Sequence, residues 1–110
     1  MRPVQIVVGG ATSGHWGGSQ AVAQAIESHG RELVACFPKF DPPPGKQASR
    51  DYRVVLDSNA KALEVQIRGP NDAVDRCVAP ILRTMTYPPY VTPLKAQTFG
   101  ISPRINWIVD

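Results

Sequence analysis

Long hydrophobic runs and clustered charges are both missing from this 110-residue sequence. No apolar stretch approaches the ~18 residues that a membrane-spanning helix needs, so no such helix is predicted. Charged residues make up 19% of the chain, the net charge is +3, and the lysines and arginines are scattered. Nucleic-acid-binding surfaces carry denser basic clusters. The charge pattern therefore favours an ordinary solvated surface and no nucleic-acid partner.

The first ten residues lack the long apolar core of a secretory signal peptide, because Val4 and residues 6–8 form only a short β-branched run. If the domain functions outside the cytoplasm, we expect its export signal to lie elsewhere and this chain to be a piece of a longer protein. The sequence does contain 43% hydrophobic residues, which suffices for one core, and eleven prolines, which should divide it into short elements.

Motifs of hydrolytic and metal-dependent enzymes are also absent. None of the serines lies in a G-x-S-x-G motif. His15, His29, Cys36 and Cys77 would suffice in number for one zinc ion, but no two of them share a tight turn, as zinc ligands usually do. The sequence thus predicts no enzyme, no catalytic residue, no metal and no cofactor.

The N-terminal part of the chain predicts a strand, a glycine-rich loop and a helix. Val4–Val8 has the β-branched composition of a strand, Gly9–Gly18 that of a loop, and Ser19 is a candidate helix N-cap. Apolar or small residues then recur at the 4-3-4-3 spacing of one helix face: Val22, Ile26, His29, Leu33 and Cys36. Pro38 should end this helix, because the residue before a proline avoids the helical region.

The middle of the chain predicts an antiparallel hairpin, preceded by a loop from Asp41 to about Arg50. Apolar and polar residues alternate over Tyr52–Leu56 and again over Leu63–Ile67, and residues 57–60 have the composition of a turn. Alternation of this kind leaves one face of the hairpin polar.

The C-terminal part predicts a second helix, capped by Asn71 or Asp72. Its apolar stripe comprises Val74, Cys77, Val78, Ile81 and Met85. Pro80 lies inside the stripe and should kink or shorten the helix. Thr98–Pro103 predicts a further strand, and Ile105–Val109 is a candidate for one more.

These elements predict an α+β fold with two helices packed on a three- to four-stranded, mainly antiparallel sheet. Residues 1–18 would form an N-terminal strand and a glycine-rich lead-in, and residues 19–110 the domain proper. No internal repeat divides the chain further.

The glycine-rich segment Gly9–Gly18 also suggests nucleotide binding as an alternative function. An apolar strand, a glycine-rich turn and a helix open a dinucleotide-binding fold. However, His15 and Trp16 stand where a P-loop has lysine and serine or threonine, and Trp16 takes the place of the third Rossmann glycine. The helical pattern also continues through Gly30, where a Rossmann unit would end its helix. A flexible lead-in is favoured, with a cytosolic nucleotide-binding or enzymatic fragment as the alternative.

The two cysteines lie on the apolar stripes of two different helices. Buried free thiols are common in cytosolic cores, and an autonomous soluble adaptor with free thiols is a further alternative. Two core-facing cysteines on helices that cover one sheet nevertheless favour a disulfide between Cys36 and Cys77. Such a bond would close a 41-residue loop and stabilise the fold by about 3–4 kcal/mol. It would also indicate an oxidising compartment.

Four segments resemble the TonB C-terminal-like module, most closely the AgmX/PglI type of myxobacterial envelope and gliding proteins. They are HGRELVACF, YRVVLDSNAKALEVQI, AVDRCVAPILRTMTYPPY and TFGISPRI, and the resemblance covers about Ala21 to Ile105. It implies a disulfide between the two cysteines. The chain departs from the family where Phe37 is followed by Pro38 rather than an acidic residue, and where Asn59-Ala60 replaces Asp-Gly.

The resemblance implies a periplasmic protein-interaction and force-coupling domain, part of a longer protein anchored in the inner membrane. Gliding motility and TonB-like outer-membrane transport are the corresponding processes. The domain would bind a peptide of an outer-membrane or periplasmic protein by β-strand addition, or a second copy of itself through the same edge, and would not insert into the membrane.

The expected edge is Thr98–Pro103, with Ile105–Val109 as a possible extension. Its partner-binding residues would be Thr98, Phe99, Gly100, Ile101 and Trp107. Phe99 and Ile101 could equally belong to the core, whereas Trp107 is expected to be a surface anchor.

Overall fold

A computed structural model describes residues 4–9, 21–40, 47–90 and 97–109. Its strands are β1 (Val4–Gly9), β2 (Gln47–Asp57), β3 (Ala62–Ile67), β4 (Thr98–Ile101) and β5 (Arg104–Val109), and its helices are α1 (Ala21–Glu27), α2 (Gly30–Val34) and α3 (Ala73–Thr84), with a 3-10 helix at Phe37–Lys39. The described strands form one five-stranded antiparallel sheet. The predicted α+β fold is confirmed, although the described elements exceed the predicted two helices and three to four strands.

The long strand β2 organises the sheet. Its first half pairs with β5 and its second half with β4, in one continuous antiparallel register from Gln47↔Ile108 to Asp57↔Thr98. β4 and β5 therefore lie end to end on one side of β2, with Ser102 and Pro103 between them, and β3 lies on the other side. β1 pairs with the far side of β5. The N-terminal strand, expected ahead of the domain, is thus part of its sheet.

β2 begins at Gln47, so the expected loop up to about Arg50 is too long. The alternation that identifies a strand is hidden here, because the residues of its first half are mostly polar. Only Ala48 among the first three residues of the strand is buried, and the core-facing position after it is occupied by Arg50.

The prediction of a single helix up to Cys36 is wrong. Helix α1 ends at Glu27, and a turn at Ser28 and His29 separates it from α2. Within this turn the Ser28 hydroxyl donates a hydrogen bond to the Ala25 carbonyl at 2.6 Å. The predicted apolar stripe holds nonetheless, since four of its five members are buried: Val22, Ile26, Leu33 and Cys36. The two short helices keep one common face towards the core. The expected cap Ser19 and the loop residues 10–18 lie outside the described residues.

α3 begins as predicted, because the Asp72 carboxylate caps it by accepting hydrogen bonds from the amides of Val74 and Asp75. Pro80 does not shorten the helix, which continues to Thr84. Pro80 is exposed, so its ring does not disturb the buried face that packs on β2 and β3.

The helices cover one face of the sheet and enclose the hydrophobic core. α1 and α2 contact β1, and α3 contacts β3 and β2. A disulfide joins Cys36, just after α2, to Cys77 in α3, with the two Cα atoms 5.7 Å apart, which confirms the predicted bond. Among the described residues, none of the helices combines the length and apolar character needed to cross a bilayer.

Candidate functional site

The candidate site is the outer edge of β4, which begins where β1 ends. β1 stops at Gly9, opposite Arg104, while β4 extends the sheet from Ile101 to Thr98 beyond that point. Among the described strands, β2 is the one that pairs with β4. Among the described residues the sheet therefore has a step, because no described strand lies beside β4 in line with β1. Open sheet edges are the templates on which extended peptides add as strands.

Four of the five predicted partner-binding residues lie together on β4, but their exposure differs. Thr98 is exposed, and Phe99 and Gly100 are half-buried. Ile101 is buried and belongs to the core, which was one of the two predicted roles. Thr98, Phe99 and Gly100 thus remain the candidates whose side chains or backbone can meet a partner.

The expectation that Trp107 is a surface anchor is wrong. Its side chain is fully buried, because β5 lies between β1 and β2 and the indole is on the face of the sheet that the helices cover. The indole N–H donates a hydrogen bond to the Leu33 carbonyl at 2.7 Å, and the Phe40 ring packs against the indole nearly perpendicular to it. Ile105–Val109 for the same reason forms no open edge.

An aromatic contact and a hydrogen bond link Tyr90 to β4 and to the end of β2. The rings of Tyr90 and Phe99 lie with centroids 6.5 Å apart, and the Tyr90 hydroxyl donates to the Asp57 carbonyl at 3.1 Å. Burial and the nearby charge of Asp57 raise the pKa of Tyr90. The edge residue Phe99 is thereby kept on the side of the sheet that faces the core.

The opposite face of β4 is cationic and polar. A Cβ atom at Gly100 would overlap the guanidinium of Arg53, so the Arg53 side chain lies across β4 at this position. Further along the same face, Arg104 donates to Asp51 at 2.8 Å, and this hydrogen bond lowers the pKa of the Asp51 carboxyl. A strand added to β4 would thus meet an aromatic on one face and a positive charge on the other.

A polar cluster that the sequence patterns do not reveal comprises the buried Tyr52 and Asp75 and the partly buried Arg50 and Asp72. The fully buried Asp75 carboxylate accepts from the Tyr52 hydroxyl at 2.8 Å, from the Asn71 amide at 2.8 Å and from Arg50 at 3.4 Å. Arg50 also donates a hydrogen bond to Asp72 at 3.0 Å, and its guanidinium lies over the Phe40 ring. Arg50 and Tyr52 share the core-facing side of β2, which is the signal that could have revealed the cluster.

The environment of this cluster shifts two pKa values. Burial, together with the hydrogen bond to Asp75, raises the pKa of Tyr52. Burial alone would raise the pKa of Asp72, but the hydrogen bonds from Arg50 and from the amides of α3 outweigh it, and the pKa is lowered. The cluster fixes the start of α3 on β2, and its polar atoms are occupied by one another, which is typical of a structural role.

The described residues give little support to nucleotide binding or to a zinc site. The described strands all pair antiparallel, whereas a Rossmann fold has a mainly parallel sheet. Gly10–Gly18 lies outside the described residues. Both cysteines of the candidate zinc set are in the disulfide, and the described part of the chain contains no group of three His, Cys, Asp or Glu residues arranged for a metal ion.

No family model matches the sequence, and neither a curated protein nor a solved structure matches it. The resemblance to TonB C-terminal-like domains therefore stays a prediction from four sequence segments, whereas the geometry of the sheet and the disulfide are features of the structure itself.

Proposed function

We propose that this chain is a protein-interaction domain of a bacterial cell envelope that binds an extended segment of a partner by strand addition at β4. The observation that carries the proposal is the step in the sheet, where β4 has β2 as its one described strand partner and continues past the end of β1. A peptide added there would lie in line with β1, so its position in the sheet is already defined.

The two faces of β4 suggest what the partner segment looks like. Side chains alternate across a strand, so every second residue of the added peptide would lie beside Phe99 and the others beside Arg53, which covers Gly100. An extended segment with apolar residues on one face and acidic or neutral polar residues on the other would fit both. The partner is an outer-membrane or periplasmic protein, and a second copy of this domain could occupy the same edge.

The disulfide supports placing the domain in the periplasm. Cys36 and Cys77 are bonded, and such bonds persist in oxidising compartments and are rare in the bacterial cytosol. The force-coupling role, whether in gliding motility or TonB-like transport, follows from the sequence resemblance and requires a longer, inner-membrane-anchored protein. Thiol labelling of protein that is isolated from its natural source and denatured without reductant should find neither cysteine reactive. Two reactive thiols would contradict the periplasmic placement.

The binding mode can be tested with a displayed library of random linear peptides panned against the oxidised domain. We expect selected peptides to protect the amides of β4 from hydrogen exchange. Replacing the exposed Thr98 by glutamate should weaken binding about tenfold or more, because a charged side chain at a sheet edge disfavours strand pairing and because Thr98 shares the face of β4 on which acidic partner residues are expected. The matched control is Gln66→Glu, at an equally exposed position on β3, which should bind normally. Peptides that protect β3 or the helices, or that tolerate T98E, would contradict strand addition at β4.

A further inference from the structure

A cleft of about 560 Å³ lies at the end of the molecule where the β2–β3 turn approaches the end of α3. Residues 59–62 form one wall and residues 83–87 the other. Its volume falls in the range of small-ligand and peptide side-chain sites. The cleft is formed by the hairpin and the end of α3, and none of its described lining residues lies on β4.

The described lining of the cleft carries positive charge and no negative charge. Lys61 and Arg83 stand one on each wall, both exposed, and none of the described lining residues is acidic. Within the described part of the chain, the salt bridges involve other residues. An anionic group that enters the cleft would therefore meet two cations from opposite walls without competition from a carboxylate of the lining.

Arg83 is not needed to cap the helix to which it belongs. The last carbonyls of a helix lack intrahelical partners and often draw basic side chains. In α3 three carbonyls near the end already have other partners: the Thr84 hydroxyl donates to the Pro80 carbonyl at 2.7 Å, the Met85 amide to that of Ile81 at 3.1 Å, and the Tyr87 hydroxyl to that of Leu82 at 2.7 Å. Among the described residues the Arg83 guanidinium forms no salt bridge, so it is available to a ligand.

The opposite wall is a fixed turn. The Asp57 carboxylate accepts from the amides of Asn59 and Lys61 at 2.8 and 2.9 Å. Ala60 between them has a φ of 60°, a left-handed conformation that residues other than glycine seldom adopt and that a well-determined turn must hold in place. Lys61 thus projects from a pre-organised backbone, which lowers the entropy lost on binding.

The base of the cleft is apolar, and this selects the ligand class. Ala60, Met85 and Tyr87 line it while being almost fully buried, and Leu63, nearly half exposed, follows the lining in sequence. A ligand that satisfies both the cations and the apolar base carries carboxylates next to aliphatic groups. Single-stranded nucleic acid would need an exposed aromatic face for stacking, which the buried Tyr87 does not offer.

We infer that this cleft binds an acidic peptide segment, with a carboxylate between Lys61 and Arg83 and a neighbouring aliphatic side chain against Met85 and Ala62. The site goes beyond strand addition at β4, because it recognises side chains through the hairpin turn and the end of α3. It would give the domain a second contact with a partner, or a contact with a second partner.

The test uses the peptide Leu-Glu-Leu-Asp-amide and the isosteric Leu-Gln-Leu-Asn-amide, each carrying an uncharged fluorescent dye on its N-terminal amine. We expect the acidic peptide alone to shift the NMR signals of residues 59–62 and 83–87 of the oxidised protein. Arg83→Glu and Lys61→Glu should each weaken its binding, measured by fluorescence anisotropy, by about tenfold or more. The control Lys39→Glu, which reverses an exposed charge on the 3-10 helix, should leave the affinity within about twofold.

Three results would overturn the inference. Equal binding of the amide peptide would show that the carboxylates are not recognised. An equal loss in K39E would show an attraction to net charge alone. Full displacement of the acidic peptide by equimolar inorganic phosphate would indicate a general anion site. T98E should retain the peptide, so failure of the cleft and failure of strand addition are distinguished by separate variants.

Discussion

At the scale of single residues, Asp75 shows how this fold buries a carboxylate. Hydrogen bonds to charged groups stabilise proteins by about 1.5–3 kcal/mol and those between neutral groups by about 0.5–1.5 kcal/mol. Two buried tyrosines allow a matched comparison, since Tyr52 donates to the Asp75 carboxylate at 2.8 Å and Tyr87 to the neutral Leu82 carbonyl at 2.7 Å. We expect Tyr52→Phe to lower the free energy of unfolding more than Tyr87→Phe, as measured by urea denaturation. Equal losses would mean that Arg50 and the Asn71 amide alone suffice for Asp75.

The same cluster shows which residues sequence patterns identify poorly. Arg50 lies on the core-facing side of β2, where alternation calls for an apolar residue. Its charge is balanced by Asp72 and Asp75, which are 22 and 25 residues away. A local sequence pattern therefore does not predict these ion pairs. Its aliphatic stem and its position over the Phe40 ring, 5.1 Å from the centroid, allow a charged side chain to fill a largely apolar space.

At the scale of elements, the start of α3 depends on Asp72 both as a cap and as a charge. Asp72→Ala removes the cap and should cost about 0.5–2 kcal/mol, whereas Asp72→Asn keeps a capping oxygen and loses only the partly exposed ion pair with Arg50, which contributes less. We therefore expect the free energy of unfolding at pH 7 to decrease in the order wild type, D72N, D72A. Equal losses in the two variants would show that the charge, not the cap, is what matters.

The charge of Asp72 also gives this element a pH dependence. The pKa of the folded carboxyl is lowered from its usual 3.8, so its stabilisation is fully present above pH 3.8 and is lost as the pH falls through the lower, folded value. The stability difference between wild type and D72N should therefore shrink between pH 7 and pH 3 in urea titrations. A difference that stays constant over this interval would contradict the assignment.

Elements whose signal is local were predictable, and those set by tertiary contacts were not. The hairpin was predicted because alternation over Tyr52–Leu56 and Leu63–Ile67 is a short-range pattern, and β2 and β3 pair as expected. The break between α1 and α2 escaped prediction because the 4-3-4-3 spacing persists when two short helices share one buried face. For the candidate site, the sequence located β4 but could not show that β1 would end beside it.

At the scale of the whole molecule, the first and the last described strands pair with each other in the sheet. β1 and β5 pair from Val4↔Val109 to Gly9↔Arg104, which makes β5 an interior strand and buries Trp107. No pattern within either strand specifies a partner about a hundred residues away, and a tryptophan near a terminus is expected to be exposed. The error about Trp107 was therefore an error of topology rather than of side-chain chemistry.

The disulfide is expected to supply a large part of the stability of the molecule. The bond closes a loop of 41 residues, which corresponds to about 4 kcal/mol in the chain-entropy model, against a total of roughly 5–15 kcal/mol for a domain. Reduction, or the double replacement Cys36→Ala and Cys77→Ala, should lower the free energy of unfolding in urea by about this amount. The reductant should leave the double variant unchanged. If wild type unfolds at the same urea concentration with and without reductant, the bond does not constrain the unfolded chain as proposed.

All three tyrosines of the chain have a raised pKa in the folded protein, so the molecule should unfold in alkali through their ionisation. Burial is the main cause for Tyr52, Tyr87 and Tyr90. The unfolded chain loses these protons near pH 10 while the folded state keeps them, so stability is fully present below pH 10 and falls above it, by about 1.4 kcal/mol per pH unit for each fully buried tyrosine.

Tyrosinate absorbance and far-ultraviolet circular dichroism should then change together in one transition well above pH 10, and Y87F should make the pH dependence of stability less steep. If the absorbance of all three tyrosinates rises near pH 10 while the circular dichroism stays native, the hydroxyls of Tyr52 and Tyr87 reach solvent without unfolding, and the core around β2 and α3 opens locally.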